Sequence, residues 1–320
     1  MGWQVRRRRS VVTHILMKVL ITGASGFIGR NCVVQLQDKG YEVHAVSSVM
    51  HEAMPGVTWH RADLLAEGVA AELVRRIGAT HLLHLAWCTE HGKYWTALEN
   101  FDWIRTSLAM IQAFTASGGK RLVAAGTCAE YSWRVGGVCA EDTTPLMPET
   151  LYGSSKNSLQ LLLAAWSRQT GLSSAWGRIF SLYGPHEYPQ RLIASTIISL
   201  MGGNTATCGN PMLVRDYLHA EDVASAFVAL LECELQGPVN IGSGRGVALG
   251  DVVTLIGQKL GAAERVRMMP PRPALGSEPA LLVAEASKFA PSCWKPKFDL
   301  SSGLDATIAW WRTQSRPNGR

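Results

Sequence analysis

The chain has 320 residues, 47% of them apolar, 18% charged, with 31 glycines, enough for a sizeable core in one large α/β domain or a domain with a smaller lobe. No apolar stretch approaches the roughly 20 residues that cross a bilayer, and seven cysteines without CxxC pairs read as reduced thiols of a cytoplasmic protein, not as a disulfide frame or a zinc site. The net charge of +6 is no case for nucleic-acid binding, because Arg6, Arg7, Arg8 and Arg9 supply four of those charges before any periodic pattern begins.

Residues 1–16 read as a basic, disordered extension, since Met17 opens "MKVLITGASGFIG", a natural start for a domain. "KVLI" has the β-branched, apolar look of a buried parallel strand. It runs into "TGASGFIGR", then a helical stretch with apolar Ile28, Cys32, Val33 and Leu36 that stops at "DKG". Gly23, Gly26 and Gly29 stand three apart between strand and helix. That placement permits a tight turn, close approach of backbone N–H groups to a pyrophosphate, and close helix–strand packing. Ser25, Phe27 and Ile28 lie in the same turn and are expected to contact the dinucleotide.

The second strand, "YEVHAVS", ends at Ser47-Ser48-Val49. NAD sites usually carry an Asp or Glu there to hold the ribose 2′-hydroxyl. No carboxylate is present to repel a 2′-phosphate, and two hydroxyls stand ready to bond it, which favours NADP(H) over NAD(H). A third strand, "TWHRADL", ends in Asp63-Leu64, placed to meet an adenine edge; Asp63 alternatively caps a helix that begins near Leu65.

"HLLHLAW" (81–87) and "RLVAAGT" (121–127) follow as strands four and five, with Leu85 and Ala86 expected against the cofactor. Between them a helix over 95–117 shows apolar positions at helical spacing, from Leu98 to Ile111. The loop "WCTEHGKYW" at the open carboxyl edge offers Trp87 and Cys88 as sugar-pocket lining, with His91 or Lys93 nearby. A helix over 153–169 begins with Tyr152 and Lys156, four apart and therefore on one face. A phenol near pKa 10 is a poor acid–base catalyst at neutral pH. A neighbouring ammonium favours the phenolate and draws it towards the working range.

These motifs occur in order along Met17 to Trp311: GASGFIG (23–29), HLA (84–86), Thr127 with Tyr131, YGSSK (152–156), LYGP (182–185), RDYLHAEDVA (215–224), NIGSG (240–244) and the late "CWKPKFDLSSGL". Together they resemble the extended short-chain dehydrogenase/reductase family, also called the NAD-dependent epimerase/dehydratase family, and within it the sugar-nucleotide 4-ketoreductases. The resemblance implies an α/β fold: a Rossmann-type doubly wound parallel sheet (17–181 plus 216–242) with a smaller C-terminal α/β sugar-nucleotide lobe (182–215 plus 243–312) and a tail (313–320). It also implies a catalytic triad of Thr127, Tyr152 and Lys156. Thr127 would bind the sugar oxygen, Tyr152 exchange a proton with it, and Lys156 hold the cofactor ribose.

The resemblance implies constraints as well. Sugar-nucleotide 4,6-dehydratases carry a Glu two residues after the Thr, often with an Asp between; those positions here are Ala129 and Cys128. Glu130 stands one residue later and is kept as a substrate-binding candidate, although a one-residue slip near a strand turns a side chain to the other face. Fucose synthases carry a Cys at the Ala129 position and a His in "YGPH". This chain has His186 in "LYGPHEY", and its cysteine falls one place early. Arg191, Arg215 and Arg272 are the residues expected on the nucleotide diphosphate, because guanidinium forks match phosphate geometry. The implied activity is NADPH-dependent reduction of the C4 ketone of a nucleotide-diphosphate 4-keto-6-deoxyhexose, the alternative being a 4-epimerase with tightly held NAD or a bifunctional epimerase/reductase. The two long helices resemble those with which family members build a homodimer through a four-helix contact. No metal, nucleic-acid or membrane partner is expected.

Overall fold

The computed structural model describes residues 17–270, 279–289 and 293–314. Its strands are β1 (Lys18–Thr22), β2 (Glu42–Ser47), β3 (Val57–Arg61), β4 (His81–His84), β5 (Arg121–Thr127), β6 (Gly137–Cys139), β7 (Ser173–Ile179), β8 (Ser181–Tyr183), β9 (Ala206–Cys208), β10 (Val214–His219), β11 (Gly237–Ile241), β12 (Gly246–Ala248), β13 (Val266–Met268) and β14 (Leu281–Ala284). The helices are α1 (Gly29–Asp38), α2 (Val69–Ile77), α3 (Glu99–Ala116), α4 (Leu151–Thr170), α5 (Leu192–Met201), α6 (Ala220–Glu232), α7 (Leu249–Lys259) and α8 (Leu300–Gln314). No helix among these residues is long and apolar enough to cross a membrane.

One sheet has the order β11-β7-β5-β4-β1-β2-β3, with every pairing parallel. The chain therefore reverses its direction of winding between β1 and β4, and a crevice opens at the carboxyl ends of those strands. Parallel strands covered on both faces must be apolar throughout, and β1 and β5 are buried along nearly their whole length. One face packs against α1 and α6; the other packs against α2, α3 and α4, the helices of a second apolar cluster.

The second sheet follows the order β12-β10-β14-β6, with β8 also paired to β10. The strand pairing departs here from the division expected from sequence at β6, which joins this sheet although it falls within the span assigned to the Rossmann domain, while β10 straddles the expected boundary at 215/216. Asp216 on β10 locks the joint: its carboxylate accepts from the Ser243 and Gly244 backbone N–H groups (2.7 and 2.9 Å), the Ser243 hydroxyl (2.5 Å) and the Ala284 N–H (3.1 Å). A short β13–β9 pair completes the lobe. The expected strands are present: β5 matches its expected span, β1 extends to Thr22, and β2, β3 and β4 are shorter than expected. The helix expected near Leu65 begins instead at Val69, after Gly68 in the left-handed region.

The corner after β5 is built around a charge pair with no exposure to water. Glu130 closes a capping box: its Oε1 accepts from the Thr127 N–H (2.8 Å) and from Trp176 Nε1 (2.9 Å), while its Oε2 accepts from Arg178 Nε (2.7 Å). Arg178 also donates to the Tyr131 hydroxyl (3.2 Å), which donates in turn to Asn240 Oδ1 (2.7 Å). Glu130, a substrate-binding candidate from sequence, lies off the cleft described below: the short helical turn after β5 and its capping box direct the side chain inward, where both oxygens are committed. Replacing it leaves a buried guanidinium uncompensated, so Glu130→Gln should lower unfolding free energy by about 3–5 kcal/mol in urea titration.

Candidate functional site

A cleft of about 1120 Å³ lies between the carboxyl edge of the parallel sheet and the second lobe. Its sheet side is formed by the glycine turn, by Leu85, Ala86 and Trp87 after β4, by Gly126 to Ala129 after β5, and by Tyr152. The lobe side is formed by the segment from His186 to Ile193, with Arg215 and Tyr217 on β10.

The turn needs its glycines. Gly23 has φ 67°, where L side chains are strained, and a Cβ there would sit 2.8 Å from the Ala86 nitrogen. A Cβ on Gly29 would stand 2.0 Å from the Gly23 carbonyl oxygen, so α1 can start where it does only with glycine. Gly26, Phe27 and Ile28 reach the cleft at the start of α1. A bare backbone at a helix N-terminus suits a pyrophosphate, and these residues fit that group.

At the end of β2 the Ser47 hydroxyl is within hydrogen-bond distance of Ser25 Oγ (3.1 Å), the Val49 N–H (3.2 Å) and His51 Nε2 (3.0 Å). Ser47 is buried and Ser48 exposed. Asp63 is exposed, and its Oδ1 accepts from the Leu65 N–H (3.0 Å), while Leu64 is buried in the core. Ser47, Ser48, Asp63 and Leu64 lie outside the cleft wall just described.

Of the three triad candidates, Thr127 and Tyr152 meet on the cleft wall. The Thr127 side chain accepts from the Ala129 N–H (3.2 Å) and shares a hydrogen bond with Tyr152. Burial pushes the Tyr152 phenol up, as do Tyr94, Glu130 and Cys128, while the bond to Thr127 pulls it down. Its ring meets Tyr94 edge-on at 4.9 Å and Trp95 at 5.8 Å, and its backbone N–H donates to the Trp95 carbonyl (3.2 Å). Lys156 lies off the cleft wall. Its Nζ donates to the Ala125 carbonyl (2.9 Å) and sits 3.7 Å from the centroid of the Trp87 ring. Burial lowers the ammonium to about 7, and Glu130 opposes that fall.

Cys128 reaches the cleft, but burial pushes its thiol up to about 12, far from a working base at neutral pH. Cys88 packs against the apolar cluster under α3, not on the cleft wall, in contrast to its expected place in the sugar pocket. His91 lines the cleft, and Lys93 is spent on a surface pair with Glu90. His186 lines the lobe side with φ 69° and its ring 4.5 Å from Trp310. Arg191 stands just before α5 and Arg215 is buried, its Nη1 donating to the carbonyls of Val214 (2.8 Å) and Pro279 (2.9 Å). Arg272 falls outside the described residues.

Three site residues were not expected from sequence: Tyr94, Tyr217 and Glu187. The aromatic run "KYW" was the one available signal for Tyr94. Glu187 is buried, its carboxyl raised to about 8 by desolvation against the opposing pull of Arg191. No group of metal-ligating residues occurs among those described.

A model of the NAD dependent epimerase/dehydratase family matches residues 19–242. The chain is 26% identical to a UDP-glucose 4-epimerase of Streptomyces lividans, covering 94% of this chain and 98% of the relative. It is 28% identical to a dTDP-glucose 4,6-dehydratase of Streptomyces griseus, over 94% of each chain. Among solved structures it is similar to the UDP-glucose 4-epimerase of Thermus thermophilus in complex with NAD, at 27% identity and a TM-score of 0.78, covering 92% of this chain and 99% of that one. With the glycine turn, the Thr-Tyr-Lys group and a matched span covering most of its length, the chain belongs to the NAD dependent epimerase/dehydratase family.

Proposed function

We propose that this protein reduces the C4 ketone of a nucleotide-diphosphate 4-keto-6-deoxyhexose with NADPH, in the cytoplasm. The corner after β5 carries this reading. Cys128 and Ala129 occupy the positions of the dehydratase carboxylates, and the adjacent acid, Glu130, is consumed by Arg178, Trp176 and the Thr127 N–H. What remains addresses a single carbon–oxygen bond.

A nicotinamide cofactor held across the glycine turn would supply the hydride. As C4 accepts it, Tyr152 gives its phenolic proton to O4, and the Thr127 hydroxyl holds that oxygen in place. The Lys156 ammonium favours the phenolate left behind. Gly23, Gly26, Phe27, Ile28 and Gly29 would hold the pyrophosphate. Ser47 and Ser48 would meet the 2′-phosphate, since no carboxylate stands at the end of β2. Arg191 and Arg215, with Arg272, would take the sugar-nucleotide diphosphate, and His186 would border the sugar.

A 4-epimerase with tightly held NAD is the second reading. The same Thr–Tyr pair suffices for it, and several relatives matched over nearly their full length are named UDP-glucose 4-epimerase. Single-turnover assays with 4-keto-6-deoxyhexose nucleotides in D₂O separate the two. NADPH should be consumed without deuterium at C3 or C5, and Tyr152→Phe should slow the reaction by about 10²–10⁴-fold. NAD copurifying with the protein, together with interconversion of UDP-sugars without added reductant, would establish the epimerase instead.

We also propose that a second copy covers α3 and α4, where Phe101, Leu161 and Leu162 are exposed. Light scattering should then give twice the mass of the 34.8 kDa chain; a monomer would refute this.

A further inference from the structure

Lys156 is withdrawn from water, yet among the described residues no carboxylate lies within ion-pair distance of its ammonium. The acid that acts on it is Glu130, whose oxygens are already shared by Arg178, Trp176 and the Thr127 N–H. A single carbonyl, that of Ala125, accepts from it. What the ammonium does have is an aromatic face: Trp87 at 3.7 Å from its Nζ, with the Trp176 ring further off at 5.9 Å.

Trp87 is itself fixed. Its Nε1 donates to Asn100 Oδ1 (2.8 Å), and Asn100, fully buried, donates through Nδ2 to the carbonyls of Tyr94 (2.9 Å) and Ala97 (2.8 Å). The Trp103 ring stacks beside it at 6.1 Å. A side chain held this way is built to present one face, and that face is turned to Lys156.

We infer that Trp87 is a positioning residue whose ring holds Lys156, four residues from Tyr152 on α4, as a located cation in place of a partner carboxylate. The inference rests on the reading of Tyr152 and Lys156 as a working pair. The attraction of a cation to a ring face grows as water is excluded. Dry surroundings otherwise favour the neutral amine, and a neutral amine gives Tyr152 no help in becoming a phenolate. The other titratable groups facing the ammonium do not take over the task. From β4, His84 is locked between Thr22 Oγ1 (2.7 Å) and Ser107 Oγ (2.8 Å), and burial and Lys156 push it down to about 3, so it is neutral. From the turn after β5, Glu130 acts at a distance, with Arg178 balancing it. On α4 itself, Tyr152 is a neutral phenol until the reaction proceeds.

The test is a titration of full-length protein carrying lysine labelled with ¹⁵N at Nζ, with Lys156→Arg identifying the signal. Replacing Trp87 by a tetrafluorinated tryptophan at that one position keeps the shape and the N–H but drains the ring face. The Lys156 midpoint should fall by roughly one pH unit, as it should in Trp87→Leu, with Trp87→Phe between them and the native ring. In turnover assays the alkaline limb of kcat should move down by the same amount while KM for the sugar nucleotide holds. An unchanged midpoint with the fluorinated ring overturns the inference, as does a change confined to KM, which would make Trp87 a sugar contact. The fluorinated protein decides the matter should the Leu variant fail to fold. Because the titration needs no substrate, it stands apart from the choice of reaction: no turnover with any nucleotide sugar would refute the proposed function and leave the midpoint to be read.

Discussion

The Glu130–Arg178 pair is the constraint around which the reactive corner is arranged. Taking both charges out of water is costly, and it is offset here by three hydrogen bonds to the Glu130 carboxylate and a second donation from Arg178 to Tyr131, although the Arg178 Nη2 is left without a partner among the described residues. The same bonds have a chemical consequence. Glu130 holds the Thr127 backbone, so the hydroxyl that shares a bond with Tyr152 starts from a fixed main chain. The carboxylate nearest the reacting position is also unable to turn into the cleft without abandoning a buried guanidinium. One interaction thus fixes the main chain at Thr127 and withholds the neighbouring carboxylate from the cleft.

Much of this was legible from sequence because the relevant signals are local. The buried run before Gly23, the three-residue glycine spacing and the four-residue Tyr152–Lys156 spacing each report geometry within one turn or one strand. Glu130 is instructive: sequence kept it as a substrate candidate, while the capping box of the short helical turn after β5 directs its carboxylate to Thr127, Trp176 and Arg178. The assignment of β6 to the second sheet was not legible, since a strand of three residues pairs with a partner far along the chain. The same holds for Trp87. Nothing in "HLAW" tells that an indole will lie across a lysine on α4, because that contact exists only once β4 and α4 pack on the same side of the sheet.

The reactive groups are held in opposition to their charged forms. Burial pushes the Tyr152 phenol up and the Lys156 ammonium down, both towards neutrality. The Trp87 ring face, 3.7 Å from the ammonium, opposes this for Lys156, and the bond to Thr127 opposes it for Tyr152.

The lobe side follows a different logic, and the two sides are joined rigidly. Asp216, with three hydrogen bonds from the segment after β11 and one from the last residue of β14, fixes β10 and with it Arg215 and Tyr217. Arg191 stands where α5 begins, and Glu187 beside it carries a carboxyl raised to about 8, largely neutral at pH 7. A neutral acid next to an arginine leaves the positive charge uncancelled at this end of the cleft. One wall of the cleft is thus set by α5, β10 and their loops and the other by the corner after β5 and the start of α4, so substitutions on the lobe can reshape the cleft without disturbing the buried Glu130–Arg178 pair.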